Sequence, residues 1–149
     1  MSIRKAFAAA VLLSAMLVTG CASVPMASPE RDAKAKTFAT QPGKANIYIY
    51  RNESIGAAVK MPVMVDGKLV GDTVSKTFIL TSVNPGKHTI LSKTENDSTL
   101  DIMAERGKNY FVWQEVKMGM WSARSSLQLV GEATGKKSVG ECKLVEGVQ

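Results

Sequence analysis

His88 is the single histidine of a 149-residue chain, and Ser82, Ser92 and Asp101 stand near it in sequence. An imidazole beside a serine and a carboxylate can activate a hydroxyl for acyl transfer. His88 follows the Asn84-Pro85-Gly86 turn and shares strand parity with Ile90, so a half-buried, hydrogen-bonded structural role is expected instead. Other catalytic patterns fail. There is no Gly-x-Ser-x-Gly elbow. "GEATGKKS" at 131–138 approaches a phosphate-binding loop, but Gly135 falls one position early. One histidine and two cysteines, Cys21 and Cys142, cannot form the usual zinc pairs, and the carboxylates lack the order of a calcium loop. The expectation is a non-catalytic chain with no metal and no cofactor beyond a covalent lipid.

The stretch Lys117–Arg124, "KMGMWSAR", offers binding rather than catalysis. It sets Met118, Met120 and Trp121 around Gly119, with Arg124 behind them. Exposed, these side chains would form a partner surface or a lipid-interface contact. Folded inward, they would close one end of the core. Tyr48, Tyr50 and Trp113 pose the same choice, between an aromatic face for sugars and core packing.

Cys21 stands behind a different pattern. Arg4 and Lys5 precede Ala6–Leu17, a run interrupted only by Ser14 and too short to span a bilayer. Val18-Thr19-Gly20-Cys21 then resembles the bacterial lipobox, which implies removal of residues 1–20 and acylation of Cys21. Two or more acyl chains, such as palmitate, hold a protein stably on a membrane. By the same resemblance, Ala22 in place of aspartate implies the outer membrane, with the domain facing the periplasm. Residues 21–44 read as the lipidated cysteine and a flexible tether, with Pro25, Pro29 and Pro42 and no hydrophobic period. Such a coil would span roughly 25–30 Å.

Net charge is +6. Removal of Arg4 and Lys5 takes the basic count from 19 to 17 against 13 acids, about +4. That surplus suits anionic lipid or glycan surfaces. No clustered basic stripe argues for nucleic acid.

These features must be positioned by the remaining chain, residues 45–149, where short alternating runs dominate. Asn46–Arg51 (NIYIYR) is apolar on both faces and suits a central strand. Lys60–Val65 and Lys68–Val70 flank Asp66-Gly67, a strong hairpin signal. Pro62 argues for an edge position there. Further strands are expected at Thr77–Val83, Lys87–Lys93, Thr99–Met103, Asn109–Lys117 and Ser125–Val130. About eight short strands with turns between them predict an all-β antiparallel sandwich. Glu132–Leu144 is expected to form a short C-terminal helix packing by Val139 and Leu144. With Cys21 acylated, Cys142 has no intramolecular partner and is read as a buried structural thiol, with an intermolecular disulfide as the alternative.

"VMVDGKLVGDTVSKTFILTSVNPGKHTI" is similar to small PEGA-type sandwich modules. Together with "NIYIYR", "KNYFVWQEVKMGMWSARSSLQLV" and "ECKLV", the chain from Lys44 to Val145 resembles the bacterial DUF2846 family of secreted or lipoprotein chains. The resemblance implies an immunoglobulin- or transthyretin-like sandwich and brings no catalytic residues. The expected function is that of an outer-membrane lipoprotein whose sandwich binds another envelope component. The alternatives are a module for peptidoglycan or lipopolysaccharide glycan, a scaffold lipoprotein of a secretion machine, and an enzyme using His88.

Overall fold

The computed structural model describes residues 22–148. The expected signal peptide and Cys21 lie outside the described residues. The chain order is α1 (Pro29–Ala35), β1 (Ala45–Arg51), β2 (Met61–Val65), β3 (Lys68–Thr73), β4 (Thr77–Val83), β5 (Gly86–Lys93), β6 (Asp97–Ala104), β7 (Asn109–Met118), β8 (Ala123–Val130), α2 (Glu132–Gly140) and β9 (Lys143–Leu144).

The strands form a β-sandwich. One sheet has the order β8-β7-β1-β4-β9 and the other β3-β2-β5-β6. The apolar core between them gathers Ile47, Ile49, Ile79 and Val112 from the first sheet with Val63, Val65, Ile90 and Ile102 from the second. β1 is central, as its two apolar faces predict, and all seven of its residues are buried. Ile47 and Ile49 meet the opposite sheet. Tyr48 and Tyr50 point the other way, into a second cluster with Phe78, Phe111, Val139, Cys142 and Leu144. The five-stranded sheet is therefore packed on both sides, by the other sheet and by the helices.

Three expectations are corrected. The five-stranded sheet is mixed, because β1 pairs in parallel with β7 and β4 with β9. β2 is an inner strand, between β3 and β5. Pro62 is tolerated because the β2–β5 ladder covers only Val63–Val65, so its missing N–H interrupts no pairing on that side. Residues 22–44 are not a free tether. Met26 bridges Val145, the Ala27 amide donates to the Leu144 carbonyl at 3.0 Å, and Ser28 caps α1 through the Arg31 amide at 3.3 Å. Ala35 and Phe38 then join the aromatic cluster, and Asn109 Nδ2 donates to the Phe38 carbonyl at 2.8 Å.

The last predicted element divides in two. α2 stops at Gly140, and Lys143–Leu144 adds a two-residue strand beside Thr77 and Phe78. Val139 and Leu144 are buried as expected. Gly135 has a packing role, since a Cβ there would stand 2.1 Å from Phe111 Cγ. The "GEATGKKS" stretch is thus the N-cap and body of a helix lying close on a phenyl ring.

Candidate functional site

β7 and β8 form a long hairpin whose ladder runs without a shift from Phe111–Val130 to Met118–Ala123. The last pair of β7 with β1 is Trp113 with Tyr50. Five further residues carry β7 roughly 16 Å beyond that level. At this tip Met118, Met120 and Trp121 are 83%, 82% and 88% exposed. No other large apolar side chain among the described residues reaches those values. Arg124 is also exposed. The inward alternative, closure of the core, is excluded by these positions.

The tip is exposed but braced. Glu95, in the β5–β6 turn, accepts the amides of Trp121 at 2.9 Å, Ser122 at 2.7 Å and Met120 at 3.2 Å. The Gly119 amide donates to the Ser122 carbonyl at 2.9 Å. A side chain at Gly119 would meet that oxygen at 2.2 Å and Glu95 Oε2 at 2.5 Å, so only glycine fits. Asn96 extends the brace, donating to the Ser125 carbonyl at 3.0 Å and accepting the Ser125 amide at 3.1 Å. The Trp121 and Ser122 amides, with that of Met120 and the charge of Arg124, hold the Glu95 carboxyl below its usual range. A preordered loop loses little conformational freedom on binding, so its apolar side chains can contribute most of their burial to affinity.

Below the tip lies a buried polar chain. Gln114 Oε1 accepts from Thr73 Oγ1, Gln114 Nε2 donates to Ser92 Oγ at 2.6 Å, and Ser125 Oγ donates to Ser92 Oγ at 2.8 Å. All four residues are buried. Thr73 and Ser92 belong to one sheet, Gln114 and Ser125 to the other, so the chain pins the two sheets in register beneath the loop.

The other residues with chemical potential are engaged elsewhere. His88 Nδ1 pairs with Asp66 Oδ2 at 2.6 Å and Nε2 with the Asn84 carbonyl at 2.7 Å. Both partners accept, so the ring satisfies both as an imidazolium. Burial opposes that charge, but the bonds to Asp66 and to the Asn84 carbonyl outweigh it and raise the His88 pKa. Ser82 donates to Asn46 Oδ1, Ser92 belongs to the polar chain, and Asp101 pairs with Lys87 and Thr89. None of the three candidate dyad partners is bonded to the imidazole, which is held by Asp66 and Asn84.

Tyr48 and Tyr50 are buried and cannot stack on a sugar. Trp113 is half-buried and donates through Nε1 to Glu53 Oε1 at 2.7 Å. Cys142 is a free thiol whose burial pushes its pKa up to about 12. It is only 1% exposed, which rules out an intermolecular disulfide in the folded protein. Among the described residues, no group of three or more His, Cys, Asp or Glu is gathered as a metal site. None of the described helices is long and apolar enough to cross a membrane.

Sequence reasoning found Met118, Met120, Trp121 and Arg124 but missed Glu95 and the polar chain. Glu95 lies in a polar turn, "TEND", and no spacing links it to a loop 25 positions later.

The molecule is thus a helix-backed β-sandwich that presents a braced apolar hairpin tip. A family model described as "Protein of unknown function (DUF2846)" matches residues 41–126, a span that includes both Glu95 and the tip. A protein of Haemophilus influenzae strain Rd, described as an uncharacterized protein, is 35% identical over 145 residues, covering 95% of this chain and 86% of its own. The chain belongs to the DUF2846 family. No solved structure matches it.

Proposed function

We propose that this chain is a non-catalytic lipoprotein, anchored through Cys21 in the outer membrane and facing the periplasm. Its sandwich contacts another envelope component through Met118, Met120, Trp121 and Arg124. The observation that carries this reading is the exposure of Met118, Met120 and Trp121 on a loop whose backbone is fixed by Glu95. Aromatic and sulfur-bearing side chains held in water without a packing role favour contact with a partner. The two hydrogen bonds of His88 support a structural role for that ring and weigh against an acyl-transfer reading.

The test has two parts. Mass spectrometry of the protein taken from outer-membrane fractions should find acyl chains on Cys21. A photo-crosslinking residue at position 120 should capture an envelope component in cells. One at Met103, also exposed but near the opposite end of β6, should not. An unmodified Cys21, or equal capture from both positions, would remove this reading.

A further inference from the structure

Ala22, the residue bonded to Cys21, is already docked: its amide donates to the Ala57 carbonyl at 3.2 Å. Ala57 lies in the 52–60 loop between β1 and β2. Buried Arg51 holds that loop, donating to the carbonyls of Val59 at 2.8 Å and Gly56 at 2.6 Å. A Cβ at Gly56 would stand 3.1 Å from Val116 Cγ1, so the loop lies against β7 two residues before Met118. The chain therefore leaves the domain at the end that carries the tip, with Ala22 linked to Val116 of β7 through Ala57 and Gly56. Ser75 ties the β3–β4 turn to the same loop, donating to the Glu53 carbonyl at 2.6 Å. Ile55 of this loop is itself 60% exposed.

We propose that the envelope component met by the tip is the lipid surface in which Cys21 is anchored. The domain would sit end-on, with Trp121, Met118, Met120 and Ile55 in the membrane interface. This rests on the reading that Cys21 is acylated and the tip makes an envelope contact. The acylated cysteine is joined directly to a docked alanine, a reach of about 3.8 Å between their Cα atoms. The bilayer must then lie against this end of the domain, and a protein partner would have to fit between the domain and its own anchor. Tryptophan favours the headgroup level, where its ring is half in hydrocarbon and its N–H remains wet. Exposed Lys117 and Arg124 flank the loop, where long basic side chains can reach headgroup phosphates while their stems lie on apolar surface. Acyl chain and tip would together give the two signals that stable, oriented anchoring needs.

The experiment uses the full lipidated chain in vesicles of phosphatidylethanolamine and phosphatidylglycerol, with and without brominated acyl chains. Trp113 is the other tryptophan, so the difference between the wild type and Trp121→Phe isolates the Trp121 emission. That emission should be lost to the brominated lipid and protected from acrylamide. If it is untouched by bromine and open to acrylamide, the proposal is overturned.

In cells, a photo-crosslinker at position 120 should give phospholipid adducts. A protein adduct in their place overturns the lipid assignment but leaves the envelope-contact reading standing. No adduct of either kind, with Cys21 acylated, removes both.

Discussion

Gly135 and Gly140 sit in the same short helix, yet replacing each by alanine should change stability in opposite directions. Alanine is preferred to glycine inside a helix by about 0.5–1 kcal/mol, through backbone entropy. At Gly140 a Cβ meets nothing within 4 Å, so G140A should realise up to that gain, less any fraying at the last helical position. At Gly135 the Cβ would stand 2.1 Å from Phe111 Cγ and 2.3 Å from Phe111 Cβ. Ordinary contact needs more than ~3.4 Å, a displacement of over ~1 Å in a close-packed interior. Phe111 cannot retreat, because it stacks on Tyr48 at 5.1 Å and meets Phe38 edge-on at 5.7 Å. α2 must lift from the sheet instead. Overpacking of this kind costs about 1–3 kcal/mol, which outweighs the helix-propensity gain. G135A should lose about 1–2 kcal/mol net, equivalent to a drop of roughly 4–8 °C in Tm for a chain of this size. Urea unfolding followed by far-UV circular dichroism reads both variants. A G135A protein at least as stable as G140A would refute the close packing of α2 on Phe111.

Three further outcomes are expected. The charged His88–Asp66 pair should stabilise the fold below the ordinary histidine pKa of about 6.5, and its contribution should fade as pH rises through the raised His88 value. Asp66, whose carboxyl is lowered first by the His88 bond, loses its share as pH falls through its depressed value. Asp66 is half exposed, which limits the effect to about 1 kcal/mol or less; unfolding of wild type against His88→Gln across pH 4–9 should show this window, and a pH-independent difference would contradict it. Cys142 should resist a maleimide at pH 8 until the protein unfolds globally, as its burial and a thiol pKa of about 12 require; prompt native-state labelling would contradict that placement. Gln114→Leu leaves the buried hydroxyls of Thr73 and Ser92 short of a partner and should cost about 1–3 kcal/mol by urea titration, with a neutral result denying the polar chain any role in holding the two sheets together.

Local pattern sufficed for most of the strands. Asp66-Gly67 and Asn84-Pro85-Gly86 announce turns by their backbone preferences, and NIYIYR announces a strand covered on both faces. Each signal acts over two to seven residues, so it is written in the sequence at that spot. Met118, Met120, Trp121 and Arg124 were legible as a candidate surface for the same reason: four unusual side chains crowd one short connection. Whether they faced water or core was not legible, because both placements use the same residue types.

Contacts between distant segments decided the rest. α1 is a seven-residue helix, too short to show a hydrophobic period; Leu144 holds it through Asp32, and Cys142 and Asn109 hold Lys36 and Phe38 just after it, all from more than 70 positions away. The inner position of β2, the parallel entry of β7 beside β1, and the grip of Glu95 on the tip likewise depend on which segments meet in space. Composition and spacing by themselves determined a β-rich chain with its turns, its buried central strand and its crowded Met-Trp stretch. Only the tertiary structure turned that stretch outward, braced it, and put it at the same end of the sandwich as Ala22. Pairing and docking energies are summed over partners that the chain order keeps apart, which is why no local reading could supply them.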